Sequence, residues 1–265
     1  MVGRIIASCI TDCGRVREKN EDNLYFDGRC MEQEHRKLDK AVTICRETRE
    51  ASFFGVFDGV GGESFGEVAS YLAAAGLHHA RQGYDPARQG IEEFLEAVCR
   101  MVNGRICREA QERKVRGMGS TAAILAFYGE KVCLCNLGDS PIFRYREGIL
   151  ETIHQEHTNR GFLREQGLDD RKPALTQCLG IPEEEFLIQP HISQEKIREG
   201  EQYLICSDGL TDMMGQEEIR EILEESLTPG ACVEKLRQLA LERGGRDNVT
   251  IILCRVVQME EENSK

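Results

Sequence analysis

The stretch Phe53–Gly62, FFGVFDGVGG, ends an apolar run on an aspartate with glycine beside it. The same punctuation recurs in CLCNLGDS, which carries Asp139, and in YLICSDGL, which carries Asp208. Asp247 in GGRDNVTIIL begins an apolar run, and Glu21 and Asp22 in VREKNEDN precede one. Singly, such residues read as turn chemistry, because Asp caps its own backbone and Gly tolerates positive φ. As a set they read differently. Apolar strands packed side by side bring their ends to one edge, where carboxylates ~4 Å apart repel by about 4 kcal/mol per pair at an effective dielectric near 20. Cations would offset that repulsion.

The donor type selects the cation. Every candidate side chain offers oxygen, with no His or Cys in the set, which suits Mg²⁺ or Mn²⁺ and not zinc. The carbonyl of Gly59 adds a further candidate oxygen, since glycine leaves it open to approach. Two such ions about 3.5–4 Å apart share a water, lower its pKa and clamp the oxygens of an in-line displacement.

Short β-branched and aromatic runs predict strands at RIIASCIT, NLYF, SFFGVF, TAAILAFY, KVCLCNL, PIFRYR, EFLIQPHI, QYLICS and NVTIILCRVV. Gly129-Glu130 and Glu147-Gly148 read as hairpin turns, so successive strands are expected to pair antiparallel from Thr121 to Ile153. Helices are expected in pairs. ESFGEVASYLAAAGLHHA is followed by GIEEFLEAVCRMVNGRICREAQER, where Ile91, Phe94, Leu95, Val98, Met101 and Val102 form one stripe. QEEIREILEES and ACVEKLRQLALERGG make the second pair. The order of strands, two helices, strands, two helices and a strand is not βαβ alternation. It predicts an α+β fold, a four-layer α-β-β-α sandwich of two antiparallel β-sheets flanked by helix pairs. Residues 28–50 are polar and read as a surface hairpin or loop. Residues 1–258 are expected to form one domain and 259–265 a frayed tail.

The chain has 265 residues and a formal net charge of −12, which argues against non-specific nucleic-acid binding. Its N-terminus has no signal-peptide h-region, and no apolar run approaches the roughly 18–20 residues of a membrane span, so a cytoplasmic protein is expected. The 12 cysteines include no C-x-x-C pair and read as buried reduced thiols. Rival motifs fare worse. GESFG matches a nucleophile elbow, but Ser64 lies well past the strand and opens a helix. There is no Walker A motif. His154 and His157, and the pair His78-His79, read as structural.

The ordered motifs resemble those of metal-dependent serine/threonine protein phosphatases of the 2C-like class. GRVREKNEDN, FDGVGG, GSTAAIL, NLGDS, LICSDGLTD and RDNVTIILCRV follow in the family's sequence over about Arg4 to Val256. The resemblance implies hydrolysis of phosphoserine and phosphothreonine on proteins by a water activated at two Mn²⁺ or Mg²⁺ ions. It implies that Asp58 bridges the ions with the Gly59 carbonyl on one. Asp22, Asp208 and Asp247 would hold the second, with Glu21 nearby, and Asp139 with Asp208 a third, weaker ion. Arg17 matches the arginine that grips substrate phosphate, as a guanidinium fork suits. Implied partners are phosphoproteins, those of a serine/threonine kinase, met by a monomer. Three positions depart from the pattern. Val60 stands where many eukaryotic members carry a histidine proposed as general acid. Pro141 follows GDS where arginine is usual. Residues 156–182, matching the family's mobile flap, look short. Val60 and the compact length point to a bacterial-type member. The departures motivate an alternative, a catalytically weak interaction module on the same fold.

Overall fold

Short runs of β-branched and aromatic residues become strands, and the segments of 3.6-residue period become helices. In a computed structural model describing residues 2–60, 65–168, 171–225 and 228–260, the chain opens with β1 (Val2–Asp12), β2 (Asp22–Phe26), β3 (Val42–Glu47) and β4 (Ser52–Val60). Two helices follow, α1 (Gly66–Gln82) and α2 (Ile91–Arg113). Next come β5 (Gly119–Ser120), β6 (Ala122–Tyr128), β7 (Lys131–Leu137), β8 (Ile142–Arg146) and β9 (Ile149–Thr152). Short α3 (Arg160–Glu165) precedes β10 (His191–Lys196) and β11 (Gln202–Cys206). The chain closes with α4 (Asp208–Thr211), α5 (Gln216–Glu224), α6 (Pro229–Glu242) and β12 (Val249–Glu260).

The strands form two antiparallel sheets, ordered β3-β1-β12-β11-β8-β9 and β10-β7-β6-β4-β2, with β5 paired to the end of β4. Strand alternation divides their side chains among three cores. On β4, Phe54 and Val56 enter the layer between the sheets, beside Leu24 and Phe26 of β2 and Ile205 and Ile252 from the other sheet. Phe53 and Phe57 point the opposite way, into the layer under α1 and α2. A third core, with Ile219, Ile222, Val233 and Leu236, lies under α5 and α6. The expected four-layer α-β-β-α sandwich is the observed one. No helix among the described residues is long and apolar enough to cross a membrane.

Five local expectations need correction. The polar segment 28–50 contains a strand, β3, which pairs with β1 at the sheet edge. The strand expected over EFLIQPHI begins only at His191, and Phe186 and Leu187 are exposed in the preceding loop. Strands β7 and β8 do not pair with each other: residues 138–141 carry the chain from one sheet to the other. Strand β12 continues through Met259 and Glu260, into the expected tail, because β1 pairs with it as far as Val2. Met101 belongs to the apolar stripe of α2 yet is exposed, since the buried face is narrower than the stripe. Of the cysteines, eight are buried thiols, while Cys45 is exposed and Cys30, Cys107 and Cys178 are partly so. Ser64, with the rest of residues 61–64, lies outside the described residues.

Candidate metal centre

The alternation that fills the central core also builds the site. Counting on from Phe54 and Val56, the next side chain of β4 on the inter-sheet face is Asp58. Counting back from Phe26 and Leu24, that of β2 is Asp22. The β2–β4 register sets these two aspartates directly opposite each other. Facing like charges on neighbouring strands destabilise a sheet. On the opposite sheet the same count from Ile205 reaches Ser207, and from Ile252 reaches Thr250. The Ser207 hydroxyl donates to Asp22 Oδ2 at 2.7 Å and accepts from the Thr250 N–H at 3.0 Å. The two sheets are thus joined at this rim through a carboxylate. Asp208 follows Ser207, and Asp247 comes just before β12 starts.

Tight backbone contacts fix the other donors. Gly59 N–H donates to the Glu21 carbonyl at 3.1 Å. A Cβ at Gly59 would lie 2.3 Å from the Gly66 carbonyl oxygen and 2.5 Å from that of Glu21, so only glycine fits. Asn248 accepts from the Glu21 N–H at 2.7 Å and donates to the carbonyls of Cys13 and Lys19 at 3.0 and 2.8 Å. It therefore staples the segment bearing Arg17 and Glu21 to the start of β12. Thr121 exchanges two bonds with the Asp58 backbone, and its hydroxyl meets that of Ser140 at 2.6 Å. That contact holds the turn carrying Asp139, where Gly138 adopts φ +107°. His157 Nδ1 accepts from the Gly138 N–H at 3.2 Å, so this histidine supports the same turn from within the fold.

Arg17, Glu21, Asp58, Gly59, Asp139, Asp208 and Asp247 all line one pocket of about 300 Å³. Asp22 lies behind its floor, fully buried against Ser207. Lys172, Asn248 and Ser207 are among the lining or supporting residues not singled out in the sequence. Lys172, from the loop between β9 and β10, donates to Asp208 Oδ2 at 3.0 Å and to Asp212 Oδ2 at 3.4 Å. Asn248 and Ser207 lie inside the quoted motifs, but only the inter-sheet contacts reveal their work. Arg17 does not stand free: its Nη2 donates to Asp247 Oδ2 at 2.7 Å.

The electrostatics follow from crowding. Burial, then the charges of Asp22, Asp208, Asp139 and Asp247, raise the Asp58 carboxyl well above the usual range. Burial pushes Asp22 up to about 7, against the pull of the Ser207 and Thr250 hydroxyls. Burial and Asp208 push Asp139 up to about 6. Asp208 is raised by burial, with Lys172 working the other way, and Glu21 is raised by burial and by Glu67. Perturbed groups converging on one pocket mark a functional site. Among the described residues no three His, Cys, Asp or Glu side chains stand together as a ready-made ion cage. Two of the carboxylates instead face the chain's own cations, Arg17 and Lys172. The donor set nevertheless fits hard divalent ions: only oxygens are offered, in an acidic pocket that added positive charge would relieve.

Comparison with known proteins agrees with this chemistry. The family model described as protein phosphatase 2C matches residues 30–241. The serine/threonine protein phosphatase PstP of Mycobacterium tuberculosis is 29% identical over 259 residues, covering 94% of this chain; the chain spans only 45% of that relative's length. Protein phosphatase PhpP of Streptococcus pneumoniae is 28% identical over 270 residues, covering 97% of this chain and 99% of PhpP. Among solved structures, the catalytic domain of PstP in complex with two manganese ions superposes with a TM-score of 0.76 at 28% identity, covering 96% of this chain and all of that one. PppA, described as a regulatory component of the type VI secretion system in Pseudomonas aeruginosa, superposes with a TM-score of 0.75 at 27% identity, covering 97% of this chain and all of that one.

Proposed function

Since this chain belongs to the protein phosphatase 2C family, we propose that it hydrolyses phosphoserine and phosphothreonine on proteins with the help of two divalent ions, Mn²⁺ or Mg²⁺, and a third held more weakly. The observation that carries this reading is the register setting Asp22 opposite Asp58 while Asp208 and Asp247 arrive from the other sheet. Asp58 would be shared by the two ions, with the Gly59 carbonyl serving one of them. Asp22, Asp208 and Asp247 would hold the second, directly or through water, with Glu21 nearby, and Asp139 would share the third with Asp208. When bound, the ions supply the positive charge that lowers the pKa of the attacking water and neutralises the phosphate oxygens.

The chain's own groups do the rest. Arg17 exchanges its bond to Asp247 for two phosphate oxygens, which orients the monoester and stabilises charge in the transition state. Water attacks phosphorus, the P–O bond to the serine or threonine breaks, and inorganic phosphate and the free hydroxyl leave. Val60 has no proton to give the departing alkoxide, so solvent water supplies it. In this reading the protein is a cytoplasmic monomer acting on the products of a serine/threonine kinase. The relatives PstP and PhpP, named as phosphatases, support the activity. A phosphopeptide assay tests it: EDTA is expected to abolish turnover and Mn²⁺ to restore it. Turnover that persists without metal overturns the proposal.

A further inference from the structure

We propose that Lys172 is a built-in competitor for divalent metal on the Asp139–Asp208 side of the pocket, its ammonium occupying the place of the weakest ion. The inference rests on the metal-dependent reading above. Lys172 lies between two carboxylates one helical turn apart, 3.0 Å from Asp208 Oδ2 and 3.4 Å from Asp212 Oδ2. It lines the metal pocket with Asp58, Asp139 and Asp247, and also the adjoining groove of about 560 Å³ with Asp139, Asp208 and Asp212. No other Lys or Arg donates to Asp208 among the described hydrogen bonds. The side chain is two-thirds exposed and comes from a loop, so it can swing away without disturbing the core.

A pin for the loop is the alternative role, and it is a poor one. An exposed ion pair adds little to stability. Its effect on a third charge at Asp208 is direct. A divalent ion can reach Asp208 Oδ2 only by displacing the ammonium or by tolerating a like charge a few ångströms away. The lysine bond falls on Asp208 Oδ2, so Asp58, Asp247 and Asp208 Oδ1 are left to the other ions. The lysine therefore separates the sites, raising the metal concentration needed for the weakest ion and leaving the others.

Calorimetric titration of Mn²⁺ into the metal-stripped full chain tests this, with Lys172→Met, which keeps the stem, and Lys172→Arg, which keeps the charge. Lys172→Met is expected to tighten the weakest class of sites by roughly threefold to tenfold. The tighter sites stay where they were, and Lys172→Arg resembles the wild type. Isotherms of Lys172→Met and wild type that superpose, or weaker binding in the variant, overturn the inference while leaving the metal-dependent reading intact. A wild type that takes up no Mn²⁺ overturns both. The wild type alone gives a second readout. Acetylation of Lys172, followed by mass spectrometry, is expected to accelerate when Mn²⁺ releases the amine from its carboxylates, and an unchanged rate counts against the competitor.

Discussion

The floor and one wall of the same pocket are built on opposite principles. The floor is made of strand residues: Asp22 and Asp58 are set opposite each other by sheet register, and Asp22 is bonded across the sandwich to Ser207. The wall, over residues 153–168 and 171–190, is loop with one short helix, and reaches the pocket through the exposed Lys172. On the floor, every neighbour is over-determined by backbone pairing, so charge can be concentrated there against its own repulsion. On the wall, the basic groups are exposed, Lys172 shared between Asp208 and Asp212 and Arg160 paired with Glu156. The floor thus decides what kind of ion the protein takes, and the wall decides what else competes for the pocket.

The largest effect should come from breaking the floor. Asp58→Asn is expected to lower phosphopeptide turnover with Mn²⁺ by at least about a thousandfold, since it removes the carboxylate assigned to both ions. The metal-free variant should be as stable as the wild type or more so, because one of two facing charges is gone. Denaturant unfolding beside the assay checks both halves. Near-wild-type turnover would remove Asp58 from the chemistry and with it the distinction between floor and wall.

A smaller effect is the pH dependence of the floor without metal. The folded-state pKa of Asp22 is about 7, raised above its unfolded value near 3.9. Between those values the folded state binds more protons than the unfolded one, so stability from this group is full below about pH 4 and is lost as pH rises through about 7. His35, His154 and His157, lowered by burial, push the other way below about pH 6.5. The comparison that isolates the aspartate is wild type against Asp22→Asn in EDTA. The variant's relative stability should grow from pH 4 to pH 8 by on the order of 2–4 kcal/mol. A difference that stays flat across that range would mean the buried carboxylate is already relieved by the fold.

The floor was also the part legible in the sequence, and for the same reason. A strand that alternates between two cores and then ends on Asp-Gly announces both its register and its charge, as Phe53 to Gly59 do. Arg17, Glu21, Asp139, Asp208 and Asp247 reached the expected pocket, and Asp22 went just behind it. What was hidden lies at edges and in loops. Strand β3 is an edge strand with mostly exposed side chains: in VTICRE only Val42 and Ile44 pack on the central core, too short an alternation to read as a strand. Strand β10, HISQEK, is polar for the same reason, while the apolar Phe186 and Leu187 before it sit in loop. Ser207 and Asn248 act across the gap between sheets, and a single strand's pattern does not show its partner. Lys172 was hidden because a loop's path sets its reach.

The smallest effect is expected on the wall. Arg160 pairs at 3.2 Å with Glu156, four residues earlier, its own side chain largely in solvent and that of Glu156 about one-third exposed, and α3 has six residues, too few to stand alone. What frames this wall is backbone. Asn159 N–H donates to the Ala174 carbonyl at 3.0 Å, the Asn159 side chain accepts from the Ala174 N–H at 2.8 Å, and Thr176 N–H donates to the His157 carbonyl at 2.9 Å. Arg160→Ala should therefore cost less than about 0.5 kcal/mol in denaturant unfolding. Arg160 also lines the groove beside the metal pocket, so any change in turnover should fall on KM for the phosphopeptide and not on kcat. A stability loss above about 1 kcal/mol would show that the wall, like the floor, depends on its charges for its shape.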